Sequence, residues 1–575
     1  MKKLSLILTA VLLFACLTAC GTQTSDTPAP TASAAPPSAE SHSTSETAEE
    51  ASAAASLEET PVEGDVLTYT LPLFDDTFTV SVWTESNIAL TFDTEEGPVS
   101  SWAEAPGNRW ASELLNIDIQ WTEISMYGIS EQFNLMIAAE DYCDVIAGID
   151  QYYAGGVEKA YADGVIQDLT SAYEEYAPNL YHRITSDDAS RKTAYTDDDR
   201  LLAVYSIEES PTPTAGCIVR QDWIDQLGID APVTYNDFHD MLVAFRNNFG
   251  AASPVFLTTS FQEDAGIASG YGIPGYMLDS GDSQFYVKDD TIFSSLTQDA
   301  YKEFLTEMHR WYVDGAINAQ FYSQNGGGEA EQAIYSGSTG MWYGRLMFID
   351  NYNTAGIDDT FSCIGIQAPV VNEGDINHFV NGSDTTHAVG DTGLSVIGCI
   401  SSNCEDVASV MKIYDFFATD AGFDLANYGI EGKTYTVDEN GNKVFEEKVF
   451  FEPYGFNLGM AIYMINHFPT RTDFSIEMEA SYSDIAKESV EIYQRHGDAA
   501  YEIPSAVSFT SEESDSYAKI LSDIVTYANE WVLKFVIGDA DIESNWDKFQ
   551  NGLESLRIQE VLDIYQTAYD RYLTK

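Results

Sequence analysis

The run YGIEGKTYTVDENGNK, residues 428 to 443, holds two fragments that could do chemistry. GKT is how a phosphate loop ends. Such a loop needs a glycine five positions before its second glycine, and that position is Asn427; it also needs a helix to follow, whereas TYTV follows here. DENGN opens like a calcium loop, with Asp438, Asn440 and Asn442 as candidate oxygen ligands. Lys443 then stands where glycine must make the turn, and Val449 where a bidentate glutamate must close the site. With both readings spoiled, TYTV, a turn centred on Asn440 and Gly441, and KVF read as a β-hairpin.

The other catalytic patterns fare no better. GYGIPG at 270 to 275 fits a dinucleotide motif letter by letter, but no strand enters it and Pro274 lies inside it. HExxH and GxSxG do not occur, and the eight histidines are scattered without ligand spacing. A pair of hydrolytic carboxylates stays open, because 92 acidic residues hide any pair until the chain is folded. Beyond Cys16 and Cys20 there are five cysteines, Cys143, Cys217, Cys363, Cys399 and Cys404. An odd number without CxxC spacing reads as buried thiols, not as a disulfide framework or a zinc site.

Alternating strands and helices must position whatever site exists. FTVSVW (78 to 83) and NIDIQWTEI alternate like strands, with a helix around RWASELL between them, and CDVIAGI (143 to 149) is a short apolar strand reached through the helix SEQFNLMIAAE. In such a β-α-β-α-β sheet, ligands lie beyond the carboxyl ends of the strands. Those ends carry Trp83, Glu85 and Asn87, then Asp150, Gln151, Tyr152 and Tyr153. Thr234 and Asp237 form a capping box for a helix with the core stripe Phe238, Met241, Leu242 and Phe245. Two consecutive helices close the chain, their phase breaking at Arg557.

The N-terminus sets the compartment. Lys2 and Lys3 precede an apolar run too short to span a bilayer, which predicts a secretory signal over residues 1 to 19. The order Leu17, Thr18, Ala19, Cys20 resembles a bacterial lipobox, which makes Cys20 the lipidated residue. Residues 20 to 64 are Ser, Thr, Ala, Pro and Glu with almost nothing to bury, and are expected to be a disordered tether. The formal charge of −65 excludes nucleic acid and anionic membrane surfaces as natural partners, leaving membrane contact to the lipid alone.

Taken together, the lipobox, the tether, VRQDWIDQLGIDAPVTYNDFHDMLVAF, SGSTGMWYGR, ANYGIEGKTYTVDENGNKVF and the ending FVIGDADIESNWDKFQNGLESLRIQEVLDIYQTAYDRYL resemble the large Gram-positive lipoproteins of extracellular solute-binding protein family 1. The resemblance implies an α/β, two-lobe periplasmic-binding-protein-like fold of type II, with the ligand cleft between the lobes. It divides the chain into a first lobe of 66 to 215 plus 396 to 510 and a second of 219 to 393 plus 511 to 575. It further implies a monomer on the extracellular face of the cell membrane that captures an oligosaccharide for an ABC permease, without catalysis and without a cofactor. The ligand-binding positions it points to are Trp83, Glu85, Asn87, Asp150, Gln151 and Tyr152, the crossing residues Glu208 and Glu209, and Trp342, Tyr343 and Arg345 in the second lobe. Tyr428 and Glu431 are further candidates for the cleft. Aromatic rings stack on sugar C–H faces while carboxylates and arginine hydrogen-bond the hydroxyls.

Many relatives carry a calcium loop just after the segment ending AFR; NNFGAASPVF stands there instead, so no calcium is expected. The acidic balance favours neutral glycans over uronates. Two other functions fit the same residues: a cell-surface glycan hydrolase with an unrecognised carboxylate pair, and a binding protein for peptides or another solute.

Overall fold

Parallel strands cannot be joined by a tight turn, so each needs a crossover, and helices supply them here. In the computed structural model Phe78–Ser86 pairs parallel with Ile117–Ser125, Phe78 opposite Ile117 through Ser86 opposite Ser125, and the helix Pro106–Leu115 connects the two. The helix Ile129–Ala139 leads on to Val145–Ile146, which pairs parallel with the other side of Phe78–Ser86. The structure describes residues 65–575 apart from 87–90, 126–127, 211, 213–214, 259–266, 275–283, 325–327, 357, 359, 380–392, 452–454 and 505. The signal, Cys20 and the tether lie outside the described residues, as does Asn87.

Six strands make the first sheet, in the order Arg471–Thr472, Val204–Glu208, Leu394–Ile400, Val145–Ile146, Phe78–Ser86, Ile117–Ser125. Leu394–Ile400 runs antiparallel to both its neighbours, inserted by a chain returning from elsewhere. The second sheet has the order Cys363–Ile366, Ala215–Arg220, Thr339–Arg345, Ser253–Val255. Each sheet has its own hydrophobic core, and this makes two lobes. Val80, Leu115, Phe133, Ile146, Val204 and Met411 belong to the first; Phe238, Phe245, Trp311, Met341 and Phe549 belong to the second. The chain crosses between the cores after Glu208, returns before Leu394, and crosses again between Thr472 and Tyr482.

That last crossing comes earlier than the expected boundary at 510. In the helix Asp484–Arg495, Ala486, Val490 and Tyr493 form an apolar stripe buried in the second core, and the Ser489 hydroxyl accepts the Gly365 N–H at 2.8 Å. A stripe of that spacing needs a sheet to cover, and Cys363–Ile366 is the sheet strand it meets. The strand expected over 143 to 149 is also shorter, only Val145–Ile146. Gly148 turns the chain into the left-handed region (φ 78°), and a helix starts at Ile149.

Other expectations stand as read. Tyr435–Val437 and Lys443–Phe445 form an antiparallel hairpin with Gly441 at φ 90°. The Asp438 carboxylate accepts the N–H groups of Asn440 and Asn442, each at 2.8 Å, so it braces the turn. The Thr234–Asp237 capping box is formed. The closing helices Ile542–Ser555 and Ile558–Thr574 break at Arg557, which has φ 66°. Preceding them is the helix Ser511–Ile537, 27 residues long, which the sequence pattern did not reveal. Among the described residues no two cysteines are joined in a disulfide; Cys217, Cys363, Cys399 and Cys404 are buried and Cys143 is partly so. Among the described residues no helix is long and apolar enough to cross a membrane.

Candidate functional site

The carboxyl end of Phe78–Ser86 meets the helix that follows Val145–Ile146. There the Tyr152 hydroxyl donates to Glu85 Oε2 at 3.1 Å, and the Trp102 indole N–H donates to the Glu85 carbonyl at 3.1 Å. Both Glu85 and Tyr152 are partly buried, while Asp150 and Gln151 on the same short helix are exposed. Trp83 is a core residue: 3% exposed, it packs edge-on against Phe133 at 5.4 Å. Its strand lies between two neighbours and is covered on both faces, so a strand-end tryptophan there fills the interior.

Glu208 ends the strand Val204–Glu208 at the first crossing, Glu209 follows it, and the two do different things. Glu208 is buried, and its carboxylate accepts from the N–H of Phe474 (2.8 Å), the N–H of Ser210 (3.1 Å) and the Thr472 hydroxyl (3.0 Å). It ties the first crossing to the third. Glu209 pairs with the Arg471 guanidinium, with Arg183 at 3.8 Å, and Arg471 also reaches Asp420 at 3.0 Å. In the second lobe Trp342 is buried with its edge towards Tyr352 (5.4 Å), and Tyr343 is buried beside Tyr493. Arg345 is partly buried near Tyr482. Tyr428 stacks on Phe445 at 5.5 Å with Lys443 over its ring, which makes it part of the hairpin's support.

A cavity of about 500 Å³ lies on the first-lobe side, beside the first and third crossings. Of the residues expected from sequence it brings in Glu208 alone. Ser206, Ser395 and Ile397 supply its floor from neighbouring strands; Met460, Met464 and Ile465 supply apolar wall; Asn466, His467, Asp473 and Glu477 supply polar wall. Two polar atoms here have no hydrogen-bond partner among the described residues, Ser206 Oγ and Glu477 Oε1. Burial, with the Glu208 charge adding to it, pushes the Glu477 carboxyl up to about 7. Leaving such groups unpaired is costly unless something else satisfies them.

His467 joins this cavity to the end of the first strand. Its backbone is left-handed (φ 66°), its Nδ1 lies 3.2 Å from Thr84 Oγ1, and Trp102 and Trp121 approach its ring edge-on at 5.6 and 5.5 Å. Burial pushes its pKa down to about 4, which keeps the ring neutral. Asn108 holds the loop in place by accepting the Asn466 N–H at 2.9 Å. Sequence reasoning missed His467 and Glu477, and nothing local marks either. Chemically, the cavity offers hydroxyl, carboxyl, imidazole and thioether groups, a set that can hydrogen-bond a polyhydroxylated solute while covering its C–H faces. Among the described residues no group of His, Cys, Asp and Glu could hold a metal ion.

Two lobes, three crossings and one antiparallel strand within a parallel sheet make a fold whose known relatives can be compared directly. Residues 95–362 match the model of the bacterial extracellular solute-binding protein family. The solute-binding match runs from the first lobe to just before the last strand of the second sheet, Cys363–Ile366. The polygalacturonan/rhamnogalacturonan-binding protein YtcQ of Bacillus subtilis is 22% identical over 479 residues, 79% of this chain and 85% of that one. Two solved structures share the solute-binding fold. An HMO-binding, ABC-transporter-associated solute-binding protein from Bifidobacterium longum infantis is 19% identical with a TM-score of 0.64, covering 87% of this chain and 99% of its own. The S. pneumoniae substrate-binding protein FusA, solved with kestose, is 18% identical with a TM-score of 0.62, covering 86% and 99%.

Proposed function

We propose that this chain is a capture protein, held on the extracellular face of the membrane by a lipid on Cys20, that binds an oligosaccharide between its lobes and delivers it to the permease of an ABC importer. The observation that carries the reading is the cavity at the crossings, where Ser206 and Glu477 present polar atoms that no described residue satisfies. A sugar hydroxyl can meet both. Because part of the wall is the third crossing itself, where Phe474 also packs against the second core, a ligand there bears on the lobe arrangement, and binding stabilises that arrangement by mass action. The names of YtcQ, of the HMO-binding protein and of FusA, with its kestose, all lie within carbohydrate capture. The Glu85–Tyr152 pair is proposed as the rim of the same cleft, with Asp150 and Gln151 exposed beside it. Membrane contact through the lipid alone, a monomeric state and no affinity for nucleic acid complete the proposal.

One observation favours a hydrolase instead. Glu208 and Glu477 line one cavity in different environments, Glu208 holding three hydrogen-bond donors while Glu477 is pushed up to about 7, and such a division suits an acid and its partner. A thermal-shift screen on an oligosaccharide panel, with chromatography of the same mixtures, separates the two readings. Capture predicts a raised melting temperature and intact sugar. Cleavage that disappears in Glu477→Gln contradicts it.

A further inference from the structure

We propose that the cavity accepts a sugar unit carrying no carboxylate, and that Glu477 is the residue that enforces this choice. The inference rests on the capture reading and adds the ligand's chemical class. Three carboxylates line the cavity, Glu208, Asp473 and Glu477, and no lysine or arginine does among the described residues. Glu208 is filled by its three donors, and Asp473 caps the helix Phe474–Ser481 by accepting the Ser475 N–H at 2.9 Å. Glu477 is the one of the three with a buried oxygen left unmet, and the Ser206 hydroxyl, on a residue 5% exposed, is the second unmet buried group.

The nearest guanidinium in sequence, Arg471, does not alter this balance. It pairs with Glu209 and Asp420, and its own backbone carbonyl accepts from Asn427, another residue of the cavity wall. A neutral sugar brings O–H donors, which match a carboxyl oxygen and a serine hydroxyl. Above the pH of about 7 to which burial and the Glu208 charge push the Glu477 carboxyl, Glu477 is ionised, and a uronate adds a further negative charge to a confined space that has no counter-ion among its lining residues. Like charges placed together without a counter-ion discriminate strongly between otherwise similar ligands. The chain's overall acidity adds a slower approach for anions, an effect that salt removes; the local exclusion by Glu477 persists in salt.

Calorimetric titration of the full-length protein at pH 8, where Glu477 is ionised, with linkage-matched pairs tests this, for example galacto-oligosaccharides against oligogalacturonates, at low and at high ionic strength. The neutral member of a pair is expected to bind about tenfold tighter or more at both ionic strengths. Glu477→Gln, with its fold checked by circular dichroism, is expected to shrink that ratio by raising uronate affinity. Glu477→Met, which removes the charge without an amide, is expected to do the same. A uronate bound as tightly as its neutral partner, or a ratio unchanged in both variants, overturns the inference while capture stands. Binding of neither member of any pair overturns the capture reading and this inference with it.

Discussion

The Tyr152 hydroxyl donates to the Glu85 carboxylate across 3.1 Å, joining the end of the first strand to the short helix that follows the third. The two residues lie 67 positions apart in the chain, and parallel pairing of Phe78–Ser86 with Val145–Ile146 brings them together. A partly buried hydrogen bond of this kind contributes about 1 kcal/mol. Tyr152→Phe is therefore expected to lower unfolding stability by no more than about 1 kcal/mol in urea melts, while lowering ligand affinity measurably if the pair forms the cleft rim. A stability loss several times larger would place Tyr152 in the core instead.

Glu477 and His467 give opposed pH dependences. The Glu477 carboxyl is raised from 4.5 to about 7, so the native state holds its proton more tightly; its contribution to stability is complete below about pH 4.5 and is lost as pH rises through 7. The His467 ring is lowered from 6.5 to about 4, so its contribution is complete above pH 6.5 and is lost as pH falls through 4. Between pH 4.5 and 6.5 the two slopes oppose each other. Glu477→Gln is expected to gain stability relative to the parent from pH 5 to pH 8, by on the order of 2 kcal/mol, since each tenfold change in proton affinity is worth about 1.4 kcal/mol. His467→Gln is expected to gain relative stability in the other direction, from pH 7 to pH 4. Melting curves across this range check both signs.

Gly107 fixes the loop that carries His467. A Cβ at this position would lie 2.2 Å from the Met464 carbonyl oxygen, a backbone atom that cannot step aside as a side chain could. Gly107→Ala is expected to cost roughly 1–3 kcal/mol by overpacking and to weaken ligand binding by displacing the cavity wall at Met464 and His467. Chemical denaturation and calorimetry measure the two effects on one sample.

Arg571 in the last helix pairs with Asp197 of the first lobe at 2.9 Å and with Glu513 at 2.7 Å, and Lys575 reaches Asp197 at 3.1 Å. Asp197 is thus the first-lobe anchor of a charge network that starts in the second. The members are partly exposed, so Asp197→Ala is expected to cost less than about 1 kcal/mol at low salt, with the difference fading at about 1 M sodium chloride. Paired melts at the two salt concentrations test this.

What was legible in the sequence was local. The Thr234 capping box, the phase break at Arg557 and the Asn440–Gly441 hairpin each depend on residues within a few positions, and each is formed. The sheet opening was legible because strand and helix periods differ, although the left-handed Gly148 cut short the strand drawn through it. The site was much less legible. Trp83 had the type and place of a sugar-stacking residue, but both faces of its strand are covered. His467 gains its role from Thr84, 383 positions away, and Glu477 from sharing a cavity with Glu208 and Ser206. Neither relationship leaves a motif, because the partners meet only after the chain has left the first lobe and returned to it.

The central claim is that a sugar occupies the cavity beside Ser206. Calorimetric titration of an oligosaccharide that raises the melting temperature, run on the parent protein and on a folded Ser206→Leu variant whose side chain fills that floor, tests it most directly. The account predicts one-to-one binding to the parent and a loss of at least about tenfold in affinity in the variant. Unchanged affinity in Ser206→Leu would contradict it.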